Sequence, residues 1–146
     1  MSKKPMNQNA RLALAVILGV ALGNLLFFLV GFIANSIQPT PAEFMDPSTP
    51  EIMAKRVQST SLFKWLATLL GHGLGALAAG FIASKLARQA PTWMISLITL
   101  LFALWAFYLF YFVYPEVIWV PLVMFAFALF FPGFGAGLAN PKPLKS

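Results

Sequence analysis

The side chain with the clearest capacity for chemistry is His72, the single histidine of the chain, which lies seven residues after Trp65 in an apolar run. Ionisable groups inside a membrane are costly and often functional, so His72 could relay a proton or bind a ligand. In the alternative interpretation the imidazole is neutral, buried and hydrogen-bonded, and Thr68, one turn earlier, is a ready partner. Asn24 and Glu116 are the other two polar residues that could line a transport path together with His72.

The remaining residue types exclude most catalytic and metal-binding sites. The chain has no cysteine, which removes thiolate nucleophiles and cysteine-ligated metals. One histidine without cysteine cannot form a bis-histidine haem or a zinc site within one protomer. The apolar runs contain no Asp or Glu, whereas a proton-coupled transporter usually carries an intramembrane carboxylate. Since no nucleophile, base and oxyanion donor can be paired, the sequence predicts no enzymatic activity, no metal and no cofactor.

Small residues recur at four-residue spacing in the apolar runs. Residues four apart lie on one helix face, and small side chains on that face let helix backbones approach closely. The spacing favours helix packing over a ligand site, and its density in the second run predicts that this helix is the centre of the bundle. Gly133 and Gly137 end the last run in a similar way. The packing residues predicted from this pattern are Gly19, Gly23, Gly71, Gly75, Ala79 and Gly80.

Four apolar runs supply the elements that would carry these residues. The chain is 60% hydrophobic and 10% charged, with a mean hydropathy of +0.80. A soluble domain carries about 25% charged residues, and about 20 apolar helical residues cross a bilayer core. We therefore predict one all-α membrane domain over residues 1–146, a four-transmembrane-helix bundle. The predicted spans are residues 12–37, 62–86, 93–114 and 117–138.

The basic residues predict the topology. Seven of them fall on one side of the four predicted spans, whereas all four acids fall on the other side with three further basic residues. Because Lys and Arg in short flanks favour the cytoplasm, both termini are expected to be cytoplasmic, in the inner membrane of a bacterium. The net charge of +6 is explained by this topology and by contact with membrane lipid, so no nucleic-acid partner is predicted. The seven residues are Lys3, Lys4, Arg11, Lys85, Arg88, Lys142 and Lys145.

The beginning of the chain resembles a secretory signal, with two lysines before an apolar run. That run, however, is about twice the length of the usual 7–15-residue apolar region of a signal peptide. We therefore expect a retained first span rather than a cleaved leader.

The outer loop, residues 38–61, is predicted to contain a short interfacial helix. Ser48 is the expected helix cap, with a glutamate three residues later and a proline in the first turn. Val57 would dip into the interface while Lys55 and Arg56 face water. A lid or a docking site for a periplasmic partner is the functional alternative for this helix.

The third and fourth runs each carry one further feature. Trp105, Tyr108 and Phe112 share a helix face that could line a groove for a quinone, an isoprenoid or a lipid tail, or could simply contact lipid. Pro132 interrupts the backbone hydrogen bonding of the fourth run and predicts a kink near its inner end. Broken helices mark binding sites in some transporters, but a kinked helix end is the simpler interpretation.

The order of these parts resembles a family of small uncharacterised bacterial four-helix membrane proteins. The resemblance covers nearly the whole chain and rests on four segments: the proline-rich residues 38–41, Asp-Pro at 46–47, the glycine-rich second span at 70–83 and the Pro-then-Gly pattern at 132–138. It implies a four-span fold and no established activity. Relatives carry an acid near the outer end of the first span where this chain has Asn35, so a role tied to that acid is not expected here.

Two functional hypotheses follow. The leading hypothesis is a non-enzymatic structural, accessory or interaction subunit that packs through small-residue helix faces against a second copy or another membrane protein. The second predicted span would form this contact, and the outer loop would present the interfacial helix. The alternative is a small oligomeric transporter or channel for a small solute or a lipid-like molecule, in which His72, Asn24 and Glu116 would mark the path.

Overall fold

The computed structural model describes residues 7–44, 49–87, 91–113 and 117–139. Within these ranges the chain is helical and has no strand, so the predicted all-α class is confirmed. A 3-10 turn, Ala42–Phe44, follows the first helix, and a π-helical turn, Leu109–Val113, follows the fourth. The five α-helices are α1 (Gln8–Ile37), α2 (Pro50–Ser59), α3 (Leu62–Ala87), α4 (Thr92–Tyr108) and α5 (Trp119–Ala139).

Three of these helices, α1, α3 and α5, are long and apolar enough to cross a membrane. They correspond to three of the four predicted spans. The α4 helix is also apolar but has only 17 residues, and it continues directly into the five-residue π-helical turn. The 30 residues of α1 extend about 45 Å, which exceeds the bilayer core of about 30 Å.

Large apolar side chains cover the outside of the bundle. Phe32 on α1 is 71% exposed and Phe130 on α5 is 70% exposed. A water-soluble protein rarely exposes contiguous apolar surface on this scale. The outward faces are therefore suited to lipid, which supports the assignment of the chain as a membrane protein.

The α3 helix lies at the centre of the bundle, with α1 packed along one face and α5 along another, while α4 packs mainly on α5. Two apolar clusters fill the interior. One cluster joins Leu12 of α1 to Ala83 of α3 and Met94 of α4. The other joins Val57 of α2 to the first turns of α3 and α5 and to the end of α4, and we call this end of the bundle the α2 end.

The short helix α2 forms where the loop was predicted to be helical, and it lies on the bundle. Its cap is Thr49, whose hydroxyl accepts the Ile52 N–H at 3.3 Å, and Pro50 occupies the first turn. The cap predicted from the sequence, Ser48, lies outside the described residues. Val57 is only 4% exposed and belongs to the same apolar cluster as residues of α3, α4 and α5. This burial holds α2 against the ends of the long helices.

The first span begins earlier than predicted. The α1 helix starts at Gln8 rather than Leu12, and the side chain of Asn7 accepts the N–H of Asn9 at 3.1 Å. The apolar run marks where lipid contact begins, whereas the helix begins where a polar side chain can satisfy the first free N–H groups.

Candidate functional site

Glycines bring the backbones of α1 and α3 into direct contact. A Cβ atom at Gly23 would lie 2.5 Å from the carbonyl oxygen of Gly75, and one at Gly75 would lie 2.6 Å from the carbonyl oxygen of Gly23. A Cβ atom at Gly19 would lie 2.7 Å from the Ala79 carbonyl oxygen. No side chain fits at these positions, so the two helices can pack at this distance only with glycine there.

A second close crossing joins α3 to α5. A side chain at Gly80 would collide with the carbonyl of Pro132, and one at Gly135 would collide with the carbonyl of Leu77. Gly71 is less tightly enclosed, because its nearest neighbours are the side chain and backbone of Phe27 at 3.3 Å. Gly135 was not singled out from the sequence, since the alternating glycines at the end of α5 do not show which of them faces inward.

His72 is buried where the long helices meet. Its side chain is 1% exposed, and its ring forms edge contacts with Phe27 of α1 at 6.4 Å and Phe102 of α4 at 5.4 Å between centroids. The backbone of Met124 on α5 also faces the imidazole. The Nε2 atom has no hydrogen-bond partner among the described residues. His72 is thus a buried polar group in an aromatic enclosure.

The other residues of the candidate polar path form no hydrogen bond with His72 within the described part of the chain. The Thr68 hydroxyl, the expected partner, donates to the Lys64 carbonyl at 2.9 Å. The side-chain amide of Asn24 donates to the Val20 carbonyl at 2.9 Å, so both groups bond to their own helices. Glu116 lies outside the described residues. No polar path through the described part of the chain is assembled from these groups.

A polar cavity of about 350 Å³ opens at the α2 end between α1, α2, α3 and the segment after α1. We call it the α2-end cavity. The Lys64 Nζ donates to the hydroxyl of Thr40 at 2.8 Å and to the Oδ1 of Asn35 at 3.4 Å. The same Asn35 oxygen accepts the N–H and the hydroxyl of Thr40, at 3.1 and 3.0 Å. These bonds hold Lys64 toward the cavity.

Two positive charges line this cavity, and the described residues supply no negative partner for them. Arg56 of α2 and Lys64 of α3 are both half-buried, and they lie close enough to repel each other. Within the described residues, neither forms an ion pair, and Lys64 donates only to neutral oxygens. The sequence predicted that Arg56 faces water, and in the structure this residue is half-buried in the wall of the α2-end cavity, which opens to the outside.

An apolar groove adjoins the α2-end cavity. It has a volume of about 370 Å³ and lies between α1 and α3, and we call it the α1/α3 groove. Ala34 and Ala67 line both the groove and the cavity, so the two spaces meet at these alanines. The groove is lined by Val30, Ile33, Ala34, Ile37, Phe63, Leu66, Ala67 and Leu70.

A third space, the α4/α5 crevice, has a volume of about 530 Å³. Thr92, Ser96 and Thr99 contribute its hydroxyl groups, and Gly133 lies on its α5 side. A Cβ atom at Gly133 or at Gly137 would meet no atom within 4 Å, so both glycines face outward. His72 lines none of the three spaces described here.

The aromatic face of α4 forms a column of rings. Trp105 stacks on Tyr108 at 5.5 Å between centroids, and Tyr108 contacts Phe112 at 5.3 Å. Tyr108 and Phe112 are exposed on the outside of the bundle, whereas the Trp105 Nε1 is buried and has no hydrogen-bond partner among the described residues. The rings predicted to share a face therefore contact each other along it.

The described residues do not bring three potential metal ligands of the His, Cys, Asp or Glu type together. The α2-end cavity is the arrangement with the clearest binding chemistry, since it combines two cations with hydroxyl and amide groups beside an apolar groove. Comparisons with family models, with curated proteins and with solved structures found no match for this chain.

Proposed function

We propose that the chain is a four-span protein of a bacterial inner membrane with both termini in the cytoplasm. The fourth span in this proposal is α4 together with the π-helical turn, which follows it without a break. Both segments are apolar, and a π-helical turn keeps backbone groups hydrogen-bonded within the segment, as a lipid environment requires. The orientation is supported by the sequence, in which basic residues are in excess on the side of the spans opposite the outer loop.

Within the membrane, we propose that the protein is a non-enzymatic interaction subunit that assembles through α5 with a second copy or another membrane protein. The observation that carries this proposal is the outward orientation of Gly133 and Gly137, with no atom within 4 Å of either Cβ position. Their four-residue spacing places them on one face of α5. Such a face allows a second helix to approach closely in lipid.

The other small-residue faces are already occupied within the protomer. The predicted packing glycines of α3 contact α1 at Gly23 and α5 at Pro132. Near Gly133, the hydroxyls of Ser96 and Thr99 line the α4/α5 crevice and could bond to a helix seated there. Such interhelical hydrogen bonds contribute about 0.6 kcal/mol each on average. The outward face of α5 is therefore better placed for assembly than the glycine-rich faces of α3.

The test compares two glycines that both face outward. Gly137→Leu places a branched side chain on the proposed interface, and we expect it to convert the assembly into monomers without loss of helicity. Gly31→Leu is the matched control, because a Cβ atom at Gly31 on α1 also meets nothing within 4 Å. Native mass spectrometry from mild detergent reports the copy number, and circular dichroism reports the helix content.

The proposal is wrong if Gly137→Leu retains the assembly of the unsubstituted chain, or if the unsubstituted chain is monomeric and carries no co-purifying membrane protein. Loss of assembly in both variants would also contradict it, because the effect would then not belong to α5.

The alternative, a small transporter or channel, is supported by the buried Nε2 of His72, which has no hydrogen-bond partner among the described residues. It is the weaker proposal, because Phe27 and Phe102 enclose the ring and none of the three described spaces reaches it.

A further inference from the structure

The α2-end cavity carries positive charge that the described residues leave uncompensated. Arg56 and Lys64 are half-buried, and neither forms an ion pair with another described residue. Removing charged groups from water is costly unless a partner of opposite sign is present. An anion in this cavity would meet both charges at once, which would relieve their mutual repulsion.

The donors in the cavity suit a phosphate group. A guanidinium offers paired N–H groups that match two phosphate oxygens, and an ammonium adds a compact charge. The hydroxyl of Ser61 donates to Gln38, and Lys64 is oriented by Thr40 and Asn35, so polar groups already line the wall. Basic pockets between transmembrane helices hold anionic lipid headgroups at the cytoplasmic or matrix side of membranes, and the same charge chemistry operates at the opposite headgroup level.

The adjoining α1/α3 groove favours the phosphate of a lipid over a free phosphate ion. The groove meets the cavity at Ala34 and Ala67, and it is lined by apolar side chains along the seam of the two helices. From Ile37 to Val30 it follows α1 for about 10 Å, at 1.5 Å per residue. A free phosphate ion would leave this apolar surface unused, whereas an acyl chain would cover it.

We propose that the α2-end cavity binds the phosphate headgroup of an anionic phospholipid through Arg56 and Lys64, with one acyl chain of that lipid in the α1/α3 groove. The site lies on the α1 side of the bundle, away from the outward face of α5. Lipid binding and assembly are therefore separate properties, and each can fail without the other.

The experiment measures lipid retention by native mass spectrometry, with the full chain in dodecyl maltoside micelles that contain phosphatidylglycerol or, in parallel, phosphatidylcholine with the same acyl chains. We expect one phosphatidylglycerol to be retained, and at least tenfold weaker retention in Arg56→Gln and Lys64→Gln, because hydrogen bonds to charged groups are the strong ones. Lys64→Arg keeps the charge and should keep the lipid. Circular dichroism of each variant checks its helix content.

Lys55→Gln is the matched control. Lys55 also lies on α2 and is exposed, but it does not line the cavity. Its substitution removes the same charge and should leave lipid retention unchanged. Equal losses in Lys55→Gln and Arg56→Gln would overturn the proposal, because the effect would then reflect net charge alone. Equal retention of phosphatidylglycerol and phosphatidylcholine would overturn it as well.

A second pair of measurements separates a lipid from a free anion. Leu66→Trp fills the groove from its exposed side and should weaken phosphatidylglycerol retention while leaving Arg56 and Lys64 in place. Inorganic phosphate, titrated alone and followed by ³¹P NMR, should bind far more weakly than the lipid. If inorganic phosphate binds as tightly and Leu66→Trp has no effect, the ligand is a free anion and the lipid proposal is wrong.

Discussion

Among single residues, the glycines matter most for packing, because the absence of a side chain there lets α1 and α3 approach closely. Gly23 and Gly75 face each other across α1 and α3, and each carbonyl occupies the space where the other residue would place a Cβ atom. In lipid there is little hydrophobic gain from helix association, so dispersion contacts between closely packed backbones stabilise the pair. A flexible neighbour could move aside for a new side chain, but a helix backbone moves only with the whole helix.

The consequence is a strong position dependence among glycines. We expect Gly75→Leu to separate α1 from α3 and to destabilise the fold by about 3 kcal/mol or more, the upper range for overpacked sites, because backbone is displaced. Gly31 borders the α2-end cavity and has free space at its Cβ position, so Gly31→Leu should change stability by less than about 0.5 kcal/mol. Thermal unfolding of both variants in detergent measures the difference. Similar midpoints for the two variants would show that the α1–α3 contact does not determine stability.

The four-residue spacing of Gly19, Gly23, Gly71 and Gly75 is visible in the sequence, because one helix period connects them. The sequence cannot show which partner each face meets, since that depends on how the helices rotate about their axes. Gly133, Gly135 and Gly137 illustrate the limit. They alternate along α5, and only the packed structure separates the inward Gly135 from the two outward glycines.

At the scale of elements, hydropathy predicts the long helices well because lipid requires continuous apolar helix. It does not predict how α2 is held. The burial of Val57 and the position of Arg56 depend on how α2 lies against the rest of the bundle, whereas the Thr49 cap is local to α2. The α2-end cavity could therefore not be predicted from the sequence, although both of its cations were visible there as charges near a membrane surface.

The Thr49 cap leads to a prediction about the local stability of α2. Thr49→Ala removes the hydroxyl that accepts the Ile52 N–H. Loss of such a cap costs about 1 kcal/mol, so amide exchange across residues 50–59 should accelerate roughly fivefold, while exchange in α3 stays unchanged because α2 opens locally. Ser59→Ala at the other end of α2 is the control. Unchanged exchange in Thr49→Ala would show that docking of Val57, rather than the cap, sets the stability of α2.

Across the whole molecule, the two ends of the helix bundle differ in their charged and polar groups. The α2 end holds the polar cavity with Arg56 and Lys64, whereas the opposite end carries Lys85 in the last turn of α3. The 26 residues of α3 extend about 39 Å, which is longer than a bilayer core of about 30 Å. Both ends of α3 can therefore reach the headgroup level, and the two sides of the membrane would meet different surfaces.

This asymmetry can be tested directly because the chain has no cysteine of its own. Lys55→Cys places a thiol on exposed α2, and Lys85→Cys places one at the exposed opposite end of α3. If both termini lie in the cytoplasm, as proposed, a membrane-impermeant maleimide added to intact cells should label Lys55→Cys, and Lys85→Cys only after the membrane is opened. The unsubstituted chain is the blank. Labelling of only Lys85→Cys in intact cells would invert the topology, and labelling of both would show that α3 does not cross the membrane.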